Sequence, residues 1–426
     1  MEQIRCLKCV KCGREYAVSE AMYACLDCGL EGTLDVVYDM HVVAKRFLRR
    51  LQTKVCTPYS MWRYLDLLPI QDDRYLPHLQ VGWTPLYLCA EFARKYGQEH
   101  HVRLPAQLYV KDDGRNPTAS LKDRASAIAV VKALELGKKE ITCASTGNAA
   151  SSLAGLAAAL GLTTYIFVPA AAPKAKIAQL LMYGANVLMV RGTYDQAYDL
   201  SLQASAEWGW YSRNSGYNPY LTEGKKTAAL EICEQLHWNA PDKVFVAVGD
   251  GCIIGGMWKG FRDLYELGLI DKLPQMIGVQ AEGANPLAVA FAAGQPVQPL
   301  SRTQTLADSI AVGQPRDALK ALRAARDSQG QILSVTDAEI LNAMRVLARQ
   351  TGVFAEPAGA AAFAGLLQMA RQELLAADER VVAMVTGNGL KDIDTAIRAA
   401  GAPVIVEPEF EEIRQAVAKM RSRPNG

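Results

Sequence analysis

No excess of either charge marks this chain. Its 46 lysines and arginines stand against 44 aspartates and glutamates, for a formal charge of +2. No basic run interleaved with aromatics occurs either, so the electrostatic footprint of a nucleic-acid or anionic-membrane binder is missing. Long hydrophobic runs are also missing. The longest, Leu153 to Leu162 and Ala358 to Leu367, are too short and too rich in Gly and Ala to span a bilayer. The opening Met1-Glu2-Gln3-Ile4-Arg5-Cys6 lacks the apolar core of a signal peptide, and a cytoplasmic protein is expected. There is no internal repeat. What remains is the composition of a soluble globular protein, 50% apolar and 21% charged. At 426 residues, two main domains with appendages are expected.

The ten cysteines are unevenly spread. Cys56, Cys89, Cys143, Cys233 and Cys252 are scattered and expected to be reduced and buried. The other five crowd the N-terminus, where Cys9-Val10-Lys11-Cys12-Gly13 and Cys25-Leu26-Asp27-Cys28-Gly29 repeat one pattern. Two residues between thiolates let both sulfurs converge on one ion, and the glycine permits the tight turn. Cys9, Cys12, Cys25 and Cys28 therefore predict a four-sulfur, structural zinc ribbon; a ribbon without metal is the alternative. Cys6 also forms a Cys-x-x-Cys with Cys9, but Gly13 and Tyr16 favour the pair Cys9 and Cys12.

From residue 105 on, apolar β-rich runs alternate with Ala/Leu-rich helical runs. Strands are expected at 107–111, 140–144, 164–168, 186–190, 243–248, 276–280 and 380–385, with helices such as 149–160 and 174–183 between them. The alternation predicts an α/β fold of mostly parallel sheets, buried on both faces by crossover helices. Residues 283–316 read as a long connection, and 408–426 as a charged, peripheral helix. The expected division is a zinc ribbon at 1–36, an extension at 37–105, a smaller mobile α/β domain at 106–220 and a larger one at 221–426.

Four junctions carry the chemistry. Asn116-Pro117-Thr118-Ala119-Ser120-Leu121-Lys122-Asp123-Arg124 sets one lysine between a Pro-led turn and the amphipathic run 125–136. Ser145-Thr146-Gly147-Asn148 follows a strand and opens a helix, where free amides can receive a carboxylate. Gly249-Asp250-Gly251-Cys252-Ile253-Ile254-Gly255-Gly256 lets backbone N–H groups converge on phosphate, although it matches neither a Walker A loop nor a clean Gly-x-Gly-x-x-Gly. Thr386-Gly387-Asn388-Gly389-Leu390-Lys391-Asp392 ends a third strand. Ligands of open α/β sheets bind beyond the C-terminal strand ends, so these loops are expected to share one crevice.

With Asn214-Ser215 and Glu223-Gly224-Lys225-Lys226-Thr227, these motifs resemble the threonine synthase branch of the fold type II (tryptophan synthase β-like) pyridoxal phosphate enzymes, over roughly residues 80–400. The resemblance implies two open α/β domains with the cofactor in the cleft between them. It makes Lys122 the internal Schiff base and the acid/base at Cα. Asn148 would meet the ring hydroxyl, Thr386 the pyridine nitrogen, and Gly249, Asp250, Gly251, Cys252 and Ile253 the cofactor phosphate. Ser145, Thr146 and Gly147, with Asn214 and Ser215, would bind a small amino-acid substrate. A hydroxyl at the ring nitrogen favours elimination and replacement over transamination. A homodimer is implied by the same resemblance.

One departure bears on the substrate. The branch leads one to expect an arginine for the phosphate of O-phosphohomoserine, and here Leu221 falls in its place. Lys174 or Lys176 would be the compensating cations. Residues 305–312 and Glu356-Pro357-Ala358-Gly359-Ala360 look more like serine/threonine dehydratases. Two activities are therefore expected: a threonine synthase-like lyase or, as the alternative, β-elimination or β-replacement of a dehydratase-like or cysteate synthase-like kind.

Overall fold

The computed structural model describes residues 2–20, 23–53, 58–170, 172 and 174–421; Cys56 and the side chain of Lys174 lie outside that set. The N-terminal segment folds into a small antiparallel sheet of β1 (Ile4–Cys9), β2 (Glu15–Tyr16), β3 (Ala24–Cys25) and β4 (Gly29–Tyr38), ordered β2-β1-β4-β3. An amphipathic helix, Met40–Gln52, and two short helical turns lead to β5 (Leu86–Leu88), antiparallel to β6 (Gln107–Asp112). Next come β7 (Glu140–Ala144), β8 (Thr163–Pro169), β9 (Asn186–Val190) and the short β10 (Tyr211–Ser212), a parallel sheet ordered β10-β7-β8-β9. Finally β11 (Lys243–Ala247), β12 (Gln275–Ala281), β13 (Gln331–Val335) and β14 (Arg380–Val385) join β5 and β6 in a six-stranded sheet, β13-β12-β11-β14-β6-β5. The α/β architecture with crossover helices is as expected. Strand β11 is buried at every residue, as a central parallel strand covered on both faces must be.

The boundary expected at residue 106 does not follow the sheets. Strand β6 pairs with β14 along its length, from Gln107 opposite Arg380 to Asp112 opposite Val385. It belongs with the six-stranded sheet, and the chain crosses to the other sheet only afterwards, through the Lys122–Glu135 helix. The connection expected at 283–316 holds a helix, Pro286–Ala293, and a helical turn, Asp308–Ile310. The C-terminal helix Phe410–Arg421 buries no residue and is peripheral. No described helix is long and apolar enough to cross a membrane.

Buried charge fixes the Lys122–Glu135 helix. The Arg124 guanidinium donates to Asp113 Oδ2 (2.7 Å) and to both oxygens of Glu231 (2.5 and 2.8 Å), and Lys111 Nζ reaches Glu231 Oε2 at 2.8 Å. All four side chains are fully buried. Glu231 lies on the Tyr220–Gln235 helix, which packs so closely that a Cβ on Gly224 would stand 2.0 Å from the Arg124 carbonyl oxygen. The start of the Lys122–Glu135 helix is thus set by contacts from several distant segments.

The small N-terminal sheet touches elements of both larger sheets. Tyr38 Oη donates to Glu223 Oε2 (2.7 Å), Thr33 Oγ1 to Asp317 Oδ1 (3.0 Å), and Lys320 Nζ to the Leu34 carbonyl (3.0 Å). Tyr23 stacks on Tyr217 at 4.6 Å, and its oxygen accepts from the Ser212 N–H at 2.9 Å.

Candidate active site

The C-terminal ends of β6, β7, β11 and β14 lead into the four expected loops, and that of β10 into Asn214-Ser215. A cavity lies among them. Its lining includes Lys122, Asn148, Ser215, the whole run from Gly249 to Ile254, and Thr386. Segments more than two hundred residues apart in sequence order thus meet in one place, as the strand-end rule requires.

Backbone geometry makes one wall an anion cradle. Gly251 precedes the Cys252–Glu266 helix with φ 94°, in the left-handed region, and a Cβ there would stand 2.8 Å from the Asp317 carbonyl oxygen. No side chain caps the first amides of that helix. Two helices away from the cavity are closed differently: Thr193 and Thr336 form complete capping boxes. Open amides at a helix start, with the positive end of the helix behind them, are suited to phosphate.

Lys122 is the first residue of its helix and is half-buried at the cavity wall. The turn before it is pinned: the Leu121 N–H donates to the Thr386 carbonyl (2.9 Å), and Ser120 bridges to Gly387. Burial, and then the nearby charge of Lys225, hold the Lys122 amine down to about 8. A lysine so placed is neutral far more often than a solvated one.

Asn148 Nδ2 donates to Glu356 Oε1 at 2.7 Å. Glu356 is a cavity residue that the sequence reading treated only as part of a motif. Burial pushes its carboxyl up to about 7, so near neutrality it holds a proton about as often as not. It requires Gly387 opposite, because a Cβ there would stand 2.3 Å from Glu356 Oε1. The Glu-Pro-Ala run was the available signal, since Pro357 starts a helix whose N-cap is Glu356.

The expected substrate residues divide. Ser215 lines the cavity. Ser145, Thr146 and Gly147 form the turn just ahead of the Asn148–Ala158 helix and do not line it, and the Ser145 oxygen accepts from the Gly147 N–H at 3.1 Å. Asn214 does not line it either. Its carbonyl accepts from the Ala144 N–H and its NH2 donates to Ser201 Oγ, both at 2.8 Å, so it fastens β10 to β7. Leu221 is 1% exposed and packed in the core, and Lys176 is paired with Asp308. Two buried cations that sequence reasoning did not single out, Arg213 and Lys225, lie beside the glycine loop instead. Lys225 belongs to the quoted Glu223–Thr227 motif, but nothing local marks either residue as a buried charge, which distant neighbours define.

At the N-terminus, the sulfurs of Cys9, Cys12, Cys25 and Cys28 all lie within 4.8 Å of one another, and Cys6 is outside the group. The Cys12 and Cys25 sulfurs are 3.7 Å apart. That is close to the edge, about 3.8 Å, of a tetrahedron with zinc–sulfur bonds of about 2.3 Å. Backbone amides of Lys11 and Cys12 approach Cys9 Sγ at 3.4 and 3.5 Å, as at a thiolate ligand.

Residues 78–387 match the family model described as pyridoxal-phosphate dependent enzyme. The chain is 39% identical over 415 residues to a protein of Methanocaldococcus jannaschii named threonine synthase, covering 97% of this chain and 99% of that one. A protein of Methanosarcina acetivorans with the same name is 41% identical over 413 residues, covering 96% and 98%. Among solved structures, the processed form of threonine deaminase isoform 2 from Solanum lycopersicum superposes with a TM-score of 0.62 at 24% identity, over 75% of this chain and 83% of that one. The last likeness shows the shared fold.

Proposed function

We propose, from the premise that this chain belongs to the pyridoxal-phosphate dependent enzymes and among them to the threonine synthase family, that it is a lyase converting O-phosphohomoserine and water to threonine and phosphate. The reading rests on one observation: Lys122, the Gly249–Ile253 loop and Thr386 line a single cavity. The residues present fit the cofactor. The loop has no room for a side chain at Gly251, its helix leaves amides uncapped, and Arg213 Nη2 is a buried donor without a partner among the described residues. Gly249, Asp250, Gly251, Cys252 and Ile253 would hold the phosphate, Asn148 the ring hydroxyl and Thr386 the ring nitrogen. Bound pyridoxal phosphate supplies an aldehyde and an electron-withdrawing ring.

The chain's own residues do the rest. Lys122, with its amine held down to about 8, takes the proton from the substrate Cα and returns it later. Ser145 and Thr146, in the turn ahead of the Asn148–Ala158 helix, orient the carboxylate. Over the whole reaction a Cγ–O bond to phosphate is lost and a hydroxyl is gained at Cβ. Buried Leu221 favours a second reading, β-elimination or β-replacement on a serine- or threonine-like substrate, because it contributes no cation for a substrate phosphate. An assay of inorganic phosphate from O-phosphohomoserine, beside keto acid from serine and threonine, separates the two. Phosphate and threonine are expected; keto acid without phosphate release would reject the synthase reading.

For the ribbon, the four cysteines are read as a structural zinc site. Metal analysis of protein purified without chelator is expected to give about one zinc per chain. A content far below that would remove the metal from the account. A homodimer and a cytoplasmic location complete the reading, supported by the resemblance alone.

A further inference from the structure

Two buried cations have no counter-charge. Of the eight lysines and arginines buried among the described residues, six lie within 4.0 Å of a carboxylate, Lys111, Arg124, Lys226 and Lys320 among them. Arg213 and Lys225 do not. Arg213, 0% exposed, donates through Nε to Ser126 Oγ (3.0 Å) and through Nη1 to Ser215 Oγ (3.1 Å), while Nη2 has no partner among the described residues. Lys225, 1% exposed, makes no ion pair or hydrogen bond among them. The nearest acids are turned elsewhere: Asp250 Oδ1 accepts from the Arg316 N–H at 3.3 Å, and Asp317 Oδ1 from Thr33 Oγ1 at 3.0 Å. An interior charge without a partner is costly, and two close together more so.

Their position says what would relieve them. Cys252, which opens the uncapped helix, lines the cavity beside Lys122 together with Ser215, the residue bonded to Arg213. Cys252 also lines a small void behind it, together with Lys225. Lys225 lies one helical turn beyond Leu221, on the same face of the Tyr220–Gln235 helix. The positive charge expected at Leu221 is therefore supplied one turn along. Both cations also act on Lys122, whose amine they help to hold down.

We propose that Arg213 and Lys225 form a buried two-cation site for a phosphate monoester, beside the amides of the Gly249–Ile253 loop. This deepens, and rests on, the reading that the cavity takes a phosphate-bearing cofactor and an amino-acid phosphate. Arg213 brings the two N–H groups of its unpartnered Nη2 and Lys225 three, and a dianionic phosphate cancels both charges. The cofactor and the substrate both offer such a group, and the test separates them.

The test uses the full-length chain and its Lys225→Met variant, with Lys225→Gln as a second. Removing an unpaired buried charge leaves the cofactor-free variant at least as heat-stable as the parent, which a melting curve checks. Pyridoxal phosphate and phosphate-free pyridoxal are titrated onto cofactor-free protein by absorbance, and inorganic phosphate onto the protein as purified by its shift in melting temperature. Lys225→Met is expected to weaken at least one phosphate ligand by about tenfold or more, with pyridoxal unchanged. Weakening of pyridoxal phosphate assigns the site to the cofactor, and weakening of inorganic phosphate on cofactor-loaded protein assigns it to the substrate. Both affinities within about twofold of the parent in both variants would overturn the site. A parent chain that binds phosphate through Lys225 but takes up no pyridoxal phosphate would instead defeat the functional reading and leave this site standing.

Discussion

Lys122→Ala is expected to lower threonine formation by about a thousandfold or more, while the chain stays folded. The size follows from two roles held by one amine, anchoring the cofactor and moving the Cα proton. The survival of the fold follows from its surroundings. Lys122 is half-buried, and the turn before it is fixed by backbone bonds from Leu121 to Thr386 and from Asn388 to Ala119 rather than by its side chain. Phosphate release, the visible absorbance of bound cofactor and circular dichroism are to be measured on one preparation. A folded variant within about tenfold of the parent rate would strip Lys122 of its role.

The second large effect concerns stability. Glu231→Gln removes the charge that faces both Arg124 and Lys111 in the interior. Asp113 still pairs with Arg124, but Lys111 loses its acidic partner. Breaking such a group is expected to cost about 3–5 kcal/mol, read as a fall in the urea midpoint. The compensating Lys111→Met added to Glu231→Gln should recover part of it; no recovery would mean that the loss is not one of unpaired charge. The pH dependence has a definite sign. Burial alone would raise the Glu231 carboxyl, but Arg124 and Lys111 hold it down to about 2. The folded value lies below the unfolded one, about 4.3. Its stabilisation is therefore present above about pH 4 and lost as pH falls towards 2. The parent should show that acid limb, and Glu231→Gln should show less of it.

These two residues also mark what the sequence could disclose. The Lys122 junction was legible because its signals are local: a proline-led turn, then an amphipathic run. So were β7, β9 and β14, found at their observed limits, since apolar runs bounded by turn residues need no knowledge of their neighbours. Strand β13 was missed because Gln331 and Ser334 leave no unbroken apolar run in Gln331–Val335. Strand β6 was read correctly as a strand yet assigned to the wrong sheet, since its partner β14 comes late in the chain. Glu231, Arg213 and Lys225 looked like ordinary charges on a helix or loop. Only the folded neighbourhood makes the first a paired interior anion and the other two unpaired cations. Asn214, a motif residue expected to face substrate, ties the turn after β10 to Ala144 of β7 and to Ser201 of the Tyr194–Trp208 helix.

The N-terminal sheet grips the molecule at both sides of the crevice. Tyr23 holds Ser212 and Tyr217, next to the Asn214–Ser215 turn, while Thr33, Leu34 and Tyr38 hold Asp317, Lys320 and Glu223 on the other side. It ties the two sides together: separating them would have to slide or break one set of these contacts. Cys9 and Cys25 sit on its strands β1 and β3, with Cys12 and Cys28 beside them, so the four-sulfur cluster and this tie belong to one small sheet.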